Sequence, residues 1–184
     1  MLVLMEWPVI EVLESERLTL EPVSVDHAPA MVDVLSDLRL YEFTGGEPPS
    51  LDVLAARYRR QVRGPADGSG AWFNWMLRER SSGTLVGFVQ ATVHPGDHGS
   101  LAEIAWVVDP AHQRRGFATE ATAAMVAWLR SRGVTAFAAL IHPDHTASQR
   151  VAHRLNLRPT PQLDDGEVRW QSLPRADVDP ASRF

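Results

Sequence analysis

The stretch from Trp106 to Ala121, Trp-Val-Val-Asp-Pro-Ala-His-Gln-Arg-Arg-Gly-Phe-Ala-Thr-Glu-Ala, holds the residues whose types and order could do chemistry. Its apolar start reads as the end of a strand, Asp109-Pro110 as a turn, and Gly116-Phe117-Ala118 as the opening of a helix. At a helix N-terminus successive main-chain N–H groups lack intrahelical acceptors and sit at the positive end of the dipole, so they hold anions. Gly116 and Ala118 are small enough for a phosphate to approach the backbone, and the guanidinium groups of Arg114 and Arg115 match phosphate geometry. The pattern predicts a diphosphate-bearing ligand held mainly by main chain. It also fits a capped core helix with two solvated arginines. It is neither a P-loop nor a dinucleotide fingerprint, because it lacks Gly-Lys-Ser/Thr and G-x-G-x-x-G.

Other side chains could act beside that turn. Glu103 stands in Leu101–Val108, where strand alternation puts it on one face with Leu101, Ala105 and Val107. Buried among them, its carboxyl would be pushed up and could serve as a general base. On a rim it would face water or an arginine instead. Seven histidines include the pairs His94/His98 and His142/His145. Without a carboxylate partner or a helical His-x-x-x-His, no metal site is expected, and His142 and His145 are read as loop residues. Trp72-Phe-Asn-Trp75 alternates along a strand, which places these rings in the core or in the wall of an acceptor pocket; the core is the reading adopted.

These residues need a frame. Arg17–Val23 alternates as a half-buried strand, and Ser24 or Asp26 caps a helix with Met31, Val34, Leu35 and Leu38 at helical spacing. Gly45-Gly46 and Pro48-Pro49 break the chain before a second helix, capped by Ser50, with Leu51, Leu54, Ala55, Tyr58 and Val62 as its apolar stripe. Trp72–Arg80, Thr84–Val93 and Leu101–Val108 form an antiparallel meander whose first turn is Ser81-Ser82-Gly83. A helix follows from about Gly116 to Arg132, with Gly133 at its C′ position, then a buried strand Val134–Ile141. Asp144 caps a last helix that ends at Asn156, and weaker strands lie around Leu157–Thr160 and Glu167–Leu173. The order predicts one α/β domain over residues 15–173, a mixed, mostly antiparallel central sheet flanked by helices. Residues 1–14 are read as an N-terminal extension and 174–184 as a frayed tail.

Composition narrows the function. The chain has 184 residues, 45% hydrophobic and 22% charged, enough for one domain with a full core. With no cysteine there is no disulfide, no thiolate nucleophile and no Cys-ligated metal, which fits a reducing cytoplasm. A net charge of −5 disfavours nucleic-acid binding and is compatible with an amine substrate. No apolar run reaches the roughly 18–20 residues of a membrane span, and Met1–Ile10, which carries Glu6 and no basic start, does not read as a signal peptide.

Gln113-x-x-Gly116-x-Ala118 resembles the acetyl-CoA motif, Q/R-x-x-G-x-G/A, of the GNAT superfamily of N-acetyltransferases. Glu16-Arg-Leu-Thr-Leu-Glu-Pro22 is similar to the opening strand of its ribosomal-protein N-terminal acetyltransferase branch. His145-Thr-Ala-Ser-Gln-Arg-Val-Ala-His-Arg-Leu155 is similar to that branch's N-x-A-S-x-R-V helix. The similarity runs from about Ser15 to Leu173. It implies acetyl-CoA as co-substrate, with no metal, held by Trp106, Val107, Val108, Gln113, Arg114, Arg115, Gly116, Phe117, Ala118, Thr119 and His145. It further implies direct transfer to an amine, with the acetyl carbonyl against main-chain N–H near Val107, Glu103 as base and Ser148 assisting the leaving thiolate. His145 replaces the family's Asn, whose amide meets the pantetheine arm, and Asn156-Leu157 replaces its Gly-Phe. The implied acceptor is an N-terminal α-amine of a protein or peptide, acetylated by a monomer or homodimer. An ordinary α-amine is about 30% neutral at pH 7.5 and a lysine only ~0.1%. A small amine such as a polyamine or antibiotic, and a catalytically silent CoA-binding protein, are the alternatives.

Overall fold

The structure, a computed structural model, describes residues 7–96 and 99–173. In chain order its elements are β1 (Leu13–Glu14), β2 (Leu18–Pro22), α1 (Ala28–Val34), α2 (Leu51–Arg63), β3 (Ala71–Glu79), β4 (Leu85–His94), β5 (Ser100–Val108), α3 (Phe117–Ser131), β6 (Val134–Ile141), α4 (Thr146–Arg154), β7 (Leu157–Asp164) and β8 (Glu167–Ser172). The strands form one sheet in the order β1-β2-β3-β4-β5-β6-β8-β7. β5 and β6 are parallel and every other neighbouring pair is antiparallel. The single α/β domain expected from the element order is the observed one.

Alternation along the strands assigns the two faces. Phe73, Trp75, Ala102 and Ile104 point to the side covered by α3 and α4, where Phe117, Met125 and Leu129 complete the larger core. Met76, with Phe88 and Val107 partly buried beside it, points to the other side, against Met31 of α1 and Leu54 and Tyr58 of α2. Ser50 accepts from Val53 N–H and caps α2 as expected, whereas Ser24 accepts from Asp26 N–H and caps a 3₁₀ turn, Val25–His27, that leads into α1, whose own N-cap, His27, makes no side-chain cap bond. Gly133, at φ +91°, ends α3 as its C′ position requires.

Several elements depart from expectation. α1 stops at Val34 because the Asp37 carboxylate accepts from Arg39 N–H and starts a separate 3₁₀ turn, Leu38–Tyr41; Leu38 is 72% exposed, outside the apolar stripe. In α2, Leu51 and Val62 face solvent while Leu54 and Tyr58 are buried. α4 has His145, not Asp144, at its N-cap. Residues 7–14, read as an extension, pack on the domain: Trp7, Ile10 and Leu13 join the core, and β1 pairs with β2. Glu11 anchors the segment, its C=O accepting from Trp75 Nε1 at 2.8 Å and its carboxylate accepting from Trp128 Nε1 and Arg132. The expected frayed tail, 174–184, lies outside the described residues.

Candidate active site

β5 and β6 pair only from Ser100/Val134 to Glu103/Ala138. Beyond that point β6 continues alongside β8, through Ala139↔Trp170 and Ile141↔Val168, while β5 stays with β4 as far as Val108. The two parallel strands therefore splay, and a cleft of about 1220 Å³ opens between them, reaching the start of α3 and the inner face of α4. Asp109 N–H donates to Val86 C=O at 2.8 Å. By antiparallel alternation the N–H groups of Ala105 and Val107 face β4, and those of Trp106 and Val108 face the splay. The N–H groups aimed into the cleft are thus the two that flank Val107.

The turn leading to α3 is rigid. Asp109 accepts from Ala111 N–H at 3.0 Å and lies 3.1 Å from His112 Nδ1, and Gln113 Nε2 donates to Val108 C=O at 2.9 Å. The Gln113 side chain thus ties the turn back to β5. Arg114, at φ +63°, and Gly116, at φ +87°, are both left-handed, and Gly116 is the N-cap of α3. The helix's first main-chain bond runs from Glu120 N–H to Gly116 C=O, so the N–H groups of Phe117, Ala118 and Thr119 precede it and have no intrahelical acceptor. All three residues line the cleft, as does Arg114.

Arg115 does not bring its side chain there. Its guanidinium pairs with Glu79 and lies 4.5 Å over the Phe117 ring, and its C=O accepts from Arg17 Nη1 at 2.9 Å. Arg17 in turn pairs with Glu120 at 2.6 Å. This network fixes the outer side of α3's first turn and leaves Arg114 as that turn's cation on the cleft side, with Arg150 and Arg154 lining the cleft from α4.

Glu103 departs from the burial the sequence suggested. It is 45% exposed, pairs with Arg169 Nη1 at 3.0 Å and lies 3.8 Å from His94 Nε2. It shares a sheet face with Ala105, one step from the cleft, but does not line it. Two carboxylates do line the cleft, Glu47 from the loop before α2 and Glu167 at the start of β8, and neither stands in the motif that marks the site in the sequence. Burial pushes the Glu167 carboxyl up, His142 opposes this, and Asp164 and Asp165 reinforce it.

Ser148 lines the cleft from α4, with its Oγ 3.4 Å from His145 Nε2. Burial is the largest cause holding the His145 imidazole below its usual value; His142 adds to it and Glu42 opposes it. Tyr41 also lines the cleft but donates its O–H to Leu35 C=O at 2.8 Å. Trp75 is fully buried in the core, Trp72 lines a separate shallow depression beside His94, and Trp106 is the tryptophan in the cleft wall. His98, the sequence partner of His94, lies outside the described residues. Among the described residues no three His, Asp or Glu side chains converge as metal ligands would.

A sheet splayed at its one parallel pair, with a free helix N-terminus at one end of the opening and Ser148 and Glu167 farther along it, is the framework of an acyltransferase. The sequence profile of the acetyltransferase (GNAT) domain matches residues 17–158, and the chain belongs to that family. It is 26% identical over 147 residues to the uncharacterized N-acetyltransferase YjdG of Bacillus subtilis, covering 78% of this chain and 87% of that one. The fold is also that of RimL, a ribosomal L7/L12 alpha-N-protein acetyltransferase solved in complex with coenzyme A, with a TM-score of 0.76 at 17% identity over 91% of this chain and all of that one. An acetyltransferase from Salmonella typhimurium that modifies the N-terminal serine of L7/L12 superposes with a TM-score of 0.72 at 16% identity, covering 89% and 99% of the two chains. No helix among the described residues is long and apolar enough to cross a membrane.

Proposed function

We propose that the protein transfers the acetyl group of acetyl-CoA directly to an amine, with the N-terminal α-amine of a polypeptide as its preferred acceptor. The observation that carries the proposal is the cleft itself, which joins the unpaired N–H groups of Phe117, Ala118 and Thr119 to Ser148 and Glu167 in one space. Those N–H groups, with Arg114, suit a diphosphate. At about 1220 Å³ the cleft exceeds the roughly 300–1,000 Å³ of a single-ligand pocket, which supports an acceptor seated beside the acyl donor. The chain has no cysteine to carry an acyl group through sulfur, which fits both direct transfer and a reducing cytoplasm.

In this mechanism the acceptor nitrogen attacks the thioester carbonyl carbon. The N–H groups of Trp106 and Val108 face the oxygen on which negative charge develops. Glu167 takes the amine proton, directly or through one water, because burial raises its carboxyl above the usual carboxylate range and it lines the cleft. The C–S bond breaks, its electron pair leaves on sulfur, and the Ser148 hydroxyl donates a hydrogen bond to it. Glu103 holds Arg169 beside the cleft instead of receiving the proton.

Two things favour an α-amine acceptor. A modestly perturbed carboxylate is matched to an amine that is already partly neutral at pH 7.5. The L7/L12 α-N-protein acetyltransferases share the fold. Acetyl-CoA-dependent thiol release measured against peptides that differ at the N-terminal residue, with polyamines and aminoglycosides in parallel, tests the proposal. Turnover on free N-termini and none on the same peptides with blocked α-amines is expected. Turnover confined to the small amines would overturn the acceptor assignment.

A further inference from the structure

α4 begins without a side-chain cap. His145 occupies its N-cap position, yet the ring makes no bond to the helix's own N–H groups, although Ser, Thr, Asp or Asn is usual there. The ring is instead part of the cleft wall. It stacks on Phe43, from the loop between the Leu38–Tyr41 turn and α2, with ring centroids 4.6 Å apart and planes 15° from parallel. His142 stands 5.4 Å from the same phenyl ring. His145 Nε2 lies 3.4 Å from Ser148 Oγ, one helical turn on.

Burial keeps the imidazole neutral at pH 7, so one ring nitrogen donates and the other accepts. With the proton on Nδ1, Nε2 would take the Ser148 O–H for itself. With the proton on Nε2, the ring donates to Ser148 Oγ and leaves the O–H for an acceptor in the cleft.

We propose that His145 is a positioning residue for acyl transfer: with its proton on Nε2 it donates to Ser148 Oγ and aims the serine O–H at the departing sulfur, while Phe43 fixes the plane of the ring. The inference rests on the reading that Ser148 faces that sulfur. Charge and protons balance without either residue being consumed. The C–S bond breaks, its electron pair stays on sulfur, and the amine proton goes to Glu167. Ser148 and His145 contribute hydrogen bonds and keep their protons. The loop carrying Phe43 thus helps to set the geometry at the leaving group, on the opposite wall.

A double-mutant cycle on the full chain tests this. Ser148→Ala should lower kcat about tenfold or more, and His145→Phe, which keeps a stacking ring without an N–H, about 3- to 10-fold. The KM for acetyl-CoA should move less than twofold in either. The combined His145→Phe/Ser148→Ala variant should match Ser148→Ala within twofold, since there is no hydroxyl left to aim. Losses that multiply in the combined variant would overturn the inference while leaving Ser148's role intact, as would an unchanged kcat in His145→Phe. A wild-type kcat in Ser148→Ala would instead overturn the reading on which the inference rests. If His145→Phe fails to fold, Phe43→Ala repeats the cycle: it should lower kcat in the native background and not in Ser148→Ala, and multiplying losses there count against the inference in the same way. Imidazole ¹⁵N shifts give a readout independent of turnover, with an Nε2–H tautomer expected for His145 and an Nδ1–H tautomer contradicting the account.

Discussion

Replacing Glu167 by Gln separates this cleft carboxylate from Glu103 beside the cleft. Gln keeps the size and part of the hydrogen bonding but takes no proton. General-base assistance is worth roughly 10²–10⁴-fold. Glu167 is only partly buried and is set to act through water, so a loss near the lower end, about 10²-fold in kcat/KM, is expected. Glu103→Gln removes an exposed pair with Arg169, a type of contact worth roughly 0.2–1 kcal/mol, and its effect should stay within about fivefold. The sign of the pH dependence follows from the environment. Burial raises the Glu167 carboxyl, so its base form is complete only above that raised value; protonation of the acceptor amine still lowers kcat/KM in acid, and Glu167→Gln should remove only the carboxyl's share of that fall, leaving a profile with the amine's titration alone. Stability should move oppositely. A carboxyl raised in the folded state costs stability as pH rises through the folded value, so Glu167→Gln should melt at or above the wild-type temperature at pH 7, with the difference vanishing below about pH 4. Thiol-release kinetics and thermal melts from pH 6 to 9, extended to pH 3 for the melts, check all three. A Glu167→Gln profile within twofold of wild type, with Glu103→Gln down a hundredfold, would refute the assignment and return the base role to Glu103.

Gly116→Val puts a β-branched residue at φ +87° with its Cβ 3.3 Å from Arg17 Nη2, costing about 1–2 kcal/mol of stability and shielding the N–H groups behind it. Each charge-assisted bond lost should weaken acetyl-CoA binding about tenfold, whereas Gly116→Asn, which tolerates the left-handed conformation, should recover stability before affinity; calorimetry and melting together check this. Arg114→Ala should raise the KM for acetyl-CoA about tenfold while leaving the melting temperature nearly unchanged. Arg115→Ala should do the reverse, with KM within twofold and a lower melting temperature. Arg115, aided by Ser82, holds the Glu79 carboxyl below its usual range, so that stabilisation is present at neutral pH and is lost as pH falls, and the two melting curves should converge in acid.

Much of this framework is legible in the residue pattern, because strand alternation, turn glycines and helix caps are local signals. Val134–Ile141, the cap at Ser50, and the helix opening at Gly116 are all read at that level. The site is less so, because it depends on where strands part. Alternation puts Glu103 on a face with apolar residues but says nothing about what covers that face, and here it is open enough for Arg169 to reach across from β8. Glu167 opens a short strand, and only the pairing of β6 with β8 brings it to the cleft. The side-chain direction of Arg115 is decided by Glu79, distant in sequence, and not by the motif that contains it. Residues 7–14 carry no strand alternation, so their packing under Trp75 and Trp128 is invisible before the tertiary structure exists. One signal was available: Glu167, Arg169 and Gln171 alternate with Val168 and Trp170, which marks a polar face that a cleft could use.

The central claim is direct transfer of acetyl from acetyl-CoA to an amine in the cleft between β5 and β6. It is tested most directly by measuring CoA thiol release and acetylated peptide by mass spectrometry in the same reaction, with and without the acceptor. The account predicts one acetylated α-amine for each thiol released, dependence of both on acceptor, and no acetyl group retained on the protein. Thiol release that proceeds without acceptor, or an acetylated protein that passes its group on after acetyl-CoA is removed, would contradict it.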